Sequence, residues 1–216
     1  MRIPIAREGY PFIFLSIIAI VISYFLGSTI LIGFSICLAI FIVAFFRDPE
    51  REAPDVENSF VAPADGKVIK VDRVREERFL HEEVLRISIF MNLFNVHVNR
   101  APASGRVAGI AYNHGKFFSA DLDKASMENE QNALLIETEE GRRFVVVQIA
   151  GLVARRIVCY VKEGDTVGRG KRFGMIRFGS RLDIYLPTDS EIRVRIGDKV
   201  KAGASLLGVW GGGNAG

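Results

Sequence analysis

The chain has 216 residues, enough for one or two domains, with 28 Lys and Arg against 25 Asp and Glu and a net charge of +3. A balance this close to neutral, without a basic cluster or a nucleic-acid motif, argues against a nucleic-acid partner and suits the anionic face of a bilayer better. Two cysteines in unrelated settings, three histidines and no zinc-type spacing exclude a disulfide scaffold, and no metal is expected.

The 38 positions from Gly9 to Phe46 contain no Asp, Glu, Lys, Arg or His. Such a segment belongs in lipid. Gly27, Ser28 and Thr29 divide it into Pro11 to Leu26 and Ile30 to Phe46, each near the minimum that a helix needs to cross about 30 Å of hydrocarbon. The prediction is a tight helical hairpin, either spanning the bilayer or dipping into one leaflet. Arg2 and Arg7 before it and Arg47 after it place both ends in the cytoplasm by the positive-inside rule. A secretory signal would show a small-x-small cleavage site after Leu26, and instead a second apolar run follows, so an uncleaved membrane anchor over residues 1–46 is expected.

Beyond Phe46 the charged EREAPDVEN reads as a linker into a β-rich domain covering residues 47–216. VAPADGKV (Val61 to Val68) and FMNLFNVHVNRAPASG (Phe90 to Gly105) follow, and DLDKASMENEQ (Asp121 to Gln131) is the best candidate for a short helix or an ordered loop. LLIETEEGRRFVVVQIA (Leu134 to Ala150) is a hairpin pattern turning at EEGRR. Cys37 in the second apolar arm and Cys159 in RIVCYV suggest packing. APADGKV at Ala62 recurs as APASGRV at Ala101, and VKEGDTVGRG at Val161 recurs as VRIGDKVKAG at Val194. The second pair shares V-x-x-G-D-x-V-x-x-G, a turn signature that resembles the barrel-sandwich modules of biotinyl and lipoyl carriers. The fold class expected is mainly β: a compact sandwich of barrel-sandwich type with internal hairpin repeats, preceded by the apolar helical hairpin.

RFGSRLDIYLP (Arg177 to Pro187) places a Gly-Ser bond between strand-like runs. A serine hydroxyl attacks a neighbouring carbonyl only when a base takes its proton and a donor meets the oxyanion. Gly179, without a Cβ, leaves its carbonyl open and permits the bent backbone that an N-to-O acyl shift demands. For a lone Gly-Ser pair, a bulge followed by a surface serine is the commoner reading, and it is the other motifs that raise the prior.

VAPADGKV, FMNLFNVHVNRAPASG, NEQN (Asn129 to Asn132) and RFGSRLDIYLP, in this order behind an apolar hairpin, resemble the phosphatidylserine decarboxylase family in its short bacterial or archaeal form, from about Arg47 to Trp210. The resemblance implies a proenzyme that cuts itself between Gly179 and Ser180 into a β chain (residues 1–179) and an α chain (residues 180–216). Ser180 then becomes a covalent pyruvoyl group, the cofactor, which condenses with the substrate amine as a Schiff base and accepts the electrons as carbon dioxide leaves. The implied partners are phosphatidylserine in the membrane, converted to phosphatidylethanolamine, and the chain's own α and β pieces as a heterodimer, with room for a higher oligomer.

Asp65 and His97 are the residues expected to act with Ser180, on the logic of Ser-His-Asp sites. His81 lies in a charged stretch and His114 in a loop-like one, which leaves His97. Longer family members carry H-x-x-H here, with His97 at the first position and Arg100 at the second, where those members place the self-cleavage histidine. They also follow Gly-Ser with a small hydroxyl residue. Here Arg181 follows, a candidate for holding a substrate carboxylate or phosphate. The rival from another class is a membrane-tethered carrier or adaptor without catalysis. A carrier would present a lysine at a hairpin tip in its usual setting, commonly between methionines, and no Lys here has that context. A pyruvoyl enzyme for a soluble amino acid would not need the anchor.

Overall fold

The computed structural model describes residues 4–115, 129–151, 156–177 and 180–211. The chain divides into two compact units, Met1–Glu50 and Arg51–Gly216.

The first unit is a helical hairpin. A 3-10 turn (Arg7–Gly9) leads into α1 (Tyr10–Phe25), with Pro11 in its first turn where no intrahelical N–H is needed, and α2 (Thr29–Phe45) returns. Its open ends are tied by backbone bonds from Ala6 N to the Phe46 carbonyl (2.8 Å) and from Asp48 N to the Pro4 carbonyl (2.7 Å), and the Phe12 and Phe46 rings stack 5.3 Å apart. Ser23 and Ser35 meet hydroxyl to hydroxyl at 3.0 Å between the helices, while Phe14, Phe25, Ile30 and Phe34 are exposed. An apolar surface of this extent on a two-helix unit is compatible with membrane association. Arg7–Phe25, 19 helical residues, is long and apolar enough to cross a membrane, and α2 is shorter at 17 residues.

The second unit carries fourteen strands among its described residues. They are β1 (Ser59–Val61), β2 (Gly66–Glu76), β3 (Glu82–Met91), β4 (Val98–Arg100), β5 (Gly105–Asn113), β6 (Gln131–Glu137), β7 (Arg143–Ala150), β8 (Ile157–Cys159), β9 (Thr166–Val167), β10 (Arg172–Ile176), β11 (Ser180–Leu186), β12 (Glu191–Ile192), β13 (Lys199–Val200) and β14 (Leu206–Val209). An eight-stranded sheet runs β13-β2-β3-β11-β7-β6-β5-β9, every neighbour antiparallel, and two small sheets, β1-β14-β12 and β4-β10-β8, complete the fold. The main core gathers Val68, Ile87, Met91, Leu134, Phe144 and Leu182 from one face of the large sheet with Phe60 and Phe173 from the small ones. The other face is covered too, by a second cluster of Leu80, Val84, Ala133, Val145, Val147 and Ile149.

The sequence repeats are structural. Gly203 N bonds the Ala62 carbonyl (2.7 Å) as Gly170 N bonds that of Ala101 (2.8 Å), and Val68 N bonds Asp198 O (2.9 Å) as Val107 N bonds Asp165 O (2.8 Å). In both turns the aspartate carboxylate accepts a backbone N–H three residues earlier, Arg195 N in one and Lys162 N in the other. Both glycines of each V-x-x-G-D-x-V-x-x-G element have positive φ, +104° and +72° at Gly197 and Gly203 and +90° and +75° at Gly164 and Gly170, a backbone that other residues adopt only with strain. Bulges recur at matching places, between Val68 and Lys70 on β2 and between Val107 and Gly109 on β5. The domain is therefore two similar halves joined at the β11/β7 pair. The hairpin predicted at EEGRR is present as β6 and β7, closed by Thr138 N to the Arg142 carbonyl (2.9 Å). In the segment expected as helix or loop, residues 121–128 lie outside the described residues and Gln131 begins β6.

Candidate active site

Ser180 opens β11, the strand where the two halves meet. It pairs with Met91 of β3 on one side and Ala150 of β7 on the other, and both it and its hydroxyl are fully buried. Alternation along the strand puts Ser180 on the main-core face with Leu182, Ile184 and Leu186. Among the described residues its Oγ has no hydrogen-bond partner, an arrangement that costs stability in an ordinary core position. Gly179, the other half of the expected cleavage site, lies outside the described residues.

A chain of buried amides runs beside it. Asn132 Nδ2 donates to Gln148 Oε1 (2.9 Å), Gln148 Nε2 donates to Asn99 Oδ1 (2.8 Å), and Asn99 Nδ2 reaches the sulfur of Met91 at 3.8 Å. Asn129 Nδ2 donates to the carbonyl of Ala150, the partner of Ser180 (2.7 Å). NEQN is the sequence trace of part of this network. Asn99 and Gln148 carry no signal in the sequence, because an amide within an apolar strand has no spacing signature.

His97, fully buried, stands just before β4, and its carbonyl accepts from Ile176 N at 3.3 Å. This extends the β4 register by one residue, so alternation sets His97 on the same side of the strand as Asn99. Arg100, at the second-histidine position of longer relatives, is buried and donates to the Gly170 carbonyl at 2.9 Å.

Asp65 does not hold the ring of His97 here. Its carboxylate takes a two-point ion pair from Arg51, with Nη2 to Oδ2 at 2.9 Å and Nη1 on Oδ1, and accepts Ala202 N at 2.8 Å. Arg51 comes from the segment read as a linker, and nothing in its spacing marks it as a partner. Gly66 is next: an added Cβ would overlap the carbonyl oxygen of Phe90, so the glycine serves a close strand approach and not the turn that Asp-Gly suggests.

Arg181 lies on the face opposite Ser180. Its guanidinium is fully buried and pairs with Asp183, Nε to Oδ1 at 2.9 Å and Nη2 to Oδ2 at 3.0 Å, beside the second apolar cluster. Nearby, Arg86 clasps Asp72 at 2.9 and 2.6 Å. Burial, with Asp183 adding to it, pushes the Tyr185 hydroxyl well above its usual range, and burial followed by the charges of Arg86 and Arg181 lowers Lys70. These charges balance one another across the outer face, and the structure does not bring Arg181 to the Ser180 hydroxyl.

A cavity of about 490 Å³ lies at the end of the sheet where Ser180 begins its strand. Asp65, Gly66 and Lys67 line it from the start of β2, Phe90, Asn92 and Asn95 from the end of β3 and the turn beyond, and Lys199 to Lys201 from β13. Phe90 and Asn92 flank Met91, the register partner of Ser180.

The family model described as phosphatidylserine decarboxylase matches residues 38–208, which makes the protein an enzyme of the decarboxylase class, a lyase. Relatives named phosphatidylserine decarboxylase proenzyme include those of Geobacter metallireducens (54% identical), Geotalea uraniireducens (52%) and Syntrophus aciditrophicus (50%). Each alignment covers 95% of this chain and 96 to 97% of the relative. The chain belongs to the phosphatidylserine decarboxylase family.

Proposed function

We propose that this chain decarboxylates phosphatidylserine to phosphatidylethanolamine at a membrane surface, with a pyruvoyl group made from Ser180 after scission of the Gly179–Ser180 bond. The observation that carries the reading is the fully buried Ser180 at the start of a central strand, with no partner for its hydroxyl among the described residues and neutral amides alongside. A small neutral keto acyl end fits that position. It needs no counter-ion in a buried setting lined by neutral amides.

In maturation the Ser180 hydroxyl adds to the Gly179 carbonyl carbon and His97 takes its proton, giving an ester as the peptide C–N bond breaks. Elimination then leaves Gly179 as a carboxylate and residue 180 as a dehydroalanine. Water converts the enamine to a ketone and ammonia departs, so atoms balance without an oxidant. The pieces, residues 1–179 and 180–216, stay together as a heterodimer. When present, the pyruvoyl ketone supplies the electron sink for loss of carbon dioxide. His97 would hold or deliver a proton in turnover, a role supported by its burial on the same side of the strand as Asn99. Asp65 acts from the cavity wall, where Arg51 fixes its carboxylate. The helical hairpin would hold the enzyme in the cell membrane with the β unit on the cytoplasmic side, in accord with Arg7 and Arg47 at its ends.

The test is the mass of the full chain under denaturing conditions together with an assay of phosphatidylethanolamine formation. Two fragments are expected, the smaller starting at residue 180, lacking a free amino terminus and reacting with carbonyl reagents. Ser180→Ala should leave the 24.0 kDa chain whole and inactive. An uncut wild-type chain that forms product would overturn the reading.

A further inference from the structure

The cavity at the β2, β3 and β13 ends has a charge pattern that the chemistry at Ser180 leaves unexplained. Three lysines, Lys67, Lys199 and Lys201, border it, and among the described residues the only carboxylate in its lining, Asp65, is already matched by Arg51. Among the described residues no ion pair engages the three ammonium groups. Lys67 pairs in register with both Phe90 and Lys199, and Phe90 with Arg181, so these backbones form one row across β13, β2, β3 and β11. With strands about 4.8 Å apart, the row sets the Lys67 backbone about 10 Å and the Lys199 backbone about 14 Å from Arg181, the residue beside Ser180, so that an extended Lys67 side chain and a headgroup together bridge the nearer gap. The turn that closes the cavity also exposes Leu93 and Phe94, the latter 76% accessible, as apolar neighbours of a cationic rim.

The other half of the domain lacks this arrangement. Where the first half has Lys67, Lys199 and Lys201, the repeat has Arg106, Thr166 and Gly168. The fold does not need three lysines at these positions.

We infer that this cavity receives the phosphodiester of the lipid headgroup, and that its lysines favour the anionic substrate over the zwitterionic product. The inference rests on the proposed decarboxylase reading. A phosphatidylserine headgroup carries a phosphate and a carboxylate against one ammonium. Breaking the carbon–carbon bond releases carbon dioxide, and a proton takes its place at carbon, so the product headgroup is neutral. Uncompensated positive charge in a partly enclosed cavity holds the first and releases the second.

The full chain with Lys67→Gln, Lys199→Gln and Lys201→Gln together, assayed on phosphatidylserine in neutral detergent micelles, tests this. The expected result is complete self-cleavage, a kcat within about twofold of wild type and a KM raised about tenfold or more. The corresponding triple Lys→Arg chain should restore KM, which a loss of packing would not allow. Inorganic phosphate separates the possible sources of the anion: competition in wild type that vanishes in the Gln variant marks a general phosphate site, whereas no competition with KM still raised marks a site for the lipid headgroup. A variant KM within twofold of wild type, or an Arg chain that fails to restore it, overturns the headgroup site. Absence of product from the wild type overturns instead the decarboxylase reading beneath it.

Discussion

The two halves of the β domain share a backbone plan and differ in what they do with it. In one, Asp65 accepts Ala202 N at 2.8 Å; in the other, Ser104 accepts Arg169 N at 3.0 Å from the equivalent place. The task shared by the two positions is thus to cap a turn, for which a neutral hydroxyl suffices. Only the first half uses a carboxylate there, pairs it with Arg51 and has lysines around it. The β6–β7 pair is closed by the short turn at EEGRR, whereas the matching β3–β11 pair is left open, with β3 running on into the turn before β4 and β11 beginning at Ser180. The five residues between Glu137 and Arg143 leave no room for a substrate. Opening the equivalent join provides both a cavity and a strand end.

This comparison can be broken by experiment, most forcefully at the cap. Asp65→Ala leaves the Arg51 guanidinium, only 12% accessible, without its carboxylate, and should destabilise the domain by about 3 kcal/mol or more. Ser104→Ala in the other half should cost about 1 kcal/mol. Urea unfolding followed at Trp210, the single tryptophan, measures both; equal losses would mean that the ion pair adds nothing to the cap. His97 sharpens the contrast, because its counterpart in the repeat is Asn58. His97→Asn should slow self-cleavage by about a hundredfold, as loss of a general base does, with the unfolding midpoint little changed. Cleavage at the wild-type rate would remove the ring from the maturation chemistry. The smallest difference between the halves is expected for a Cβ at the close strand approaches. Gly66→Ala meets the Phe90 carbonyl and Gly105→Ala that of Glu137, so both should cost about 1 to 3 kcal/mol, to a similar degree.

The sequence made the duplicated frame readable, since V-x-x-G-D-x-V-x-x-G recurs and its glycines are where the backbone needs positive φ. It made the apolar hairpin readable as well, because 38 uncharged positions have few other uses. The faces of β11 were not readable. Ser-Arg-Leu-Asp-Ile-Tyr-Leu alternates as a half-solvated strand does, yet the sheet is covered on both sides and Arg181 and Asp183 are fully buried as a pair. Alternation tells which residues share a face but not what lies against it. The Asn132–Gln148–Asn99 chain and the Arg51–Asp65 pair join residues from different strands and a supposed linker, and such couplings leave no local period.

The place of β11 has a last consequence. It forms a backbone ladder with β3 over its whole length and with β7 from Ser180 to Tyr185, and residues C-terminal to it supply β12, β13 and β14 to other parts of the domain. A break just before Ser180 would therefore liberate an end without liberating a peptide. The severed segment could depart only if the domain came apart, and a maturation step placed here would be irreversible in practice: once unfolded, the two pieces would have to find each other again in solution, with the middle of the sheet missing until they did.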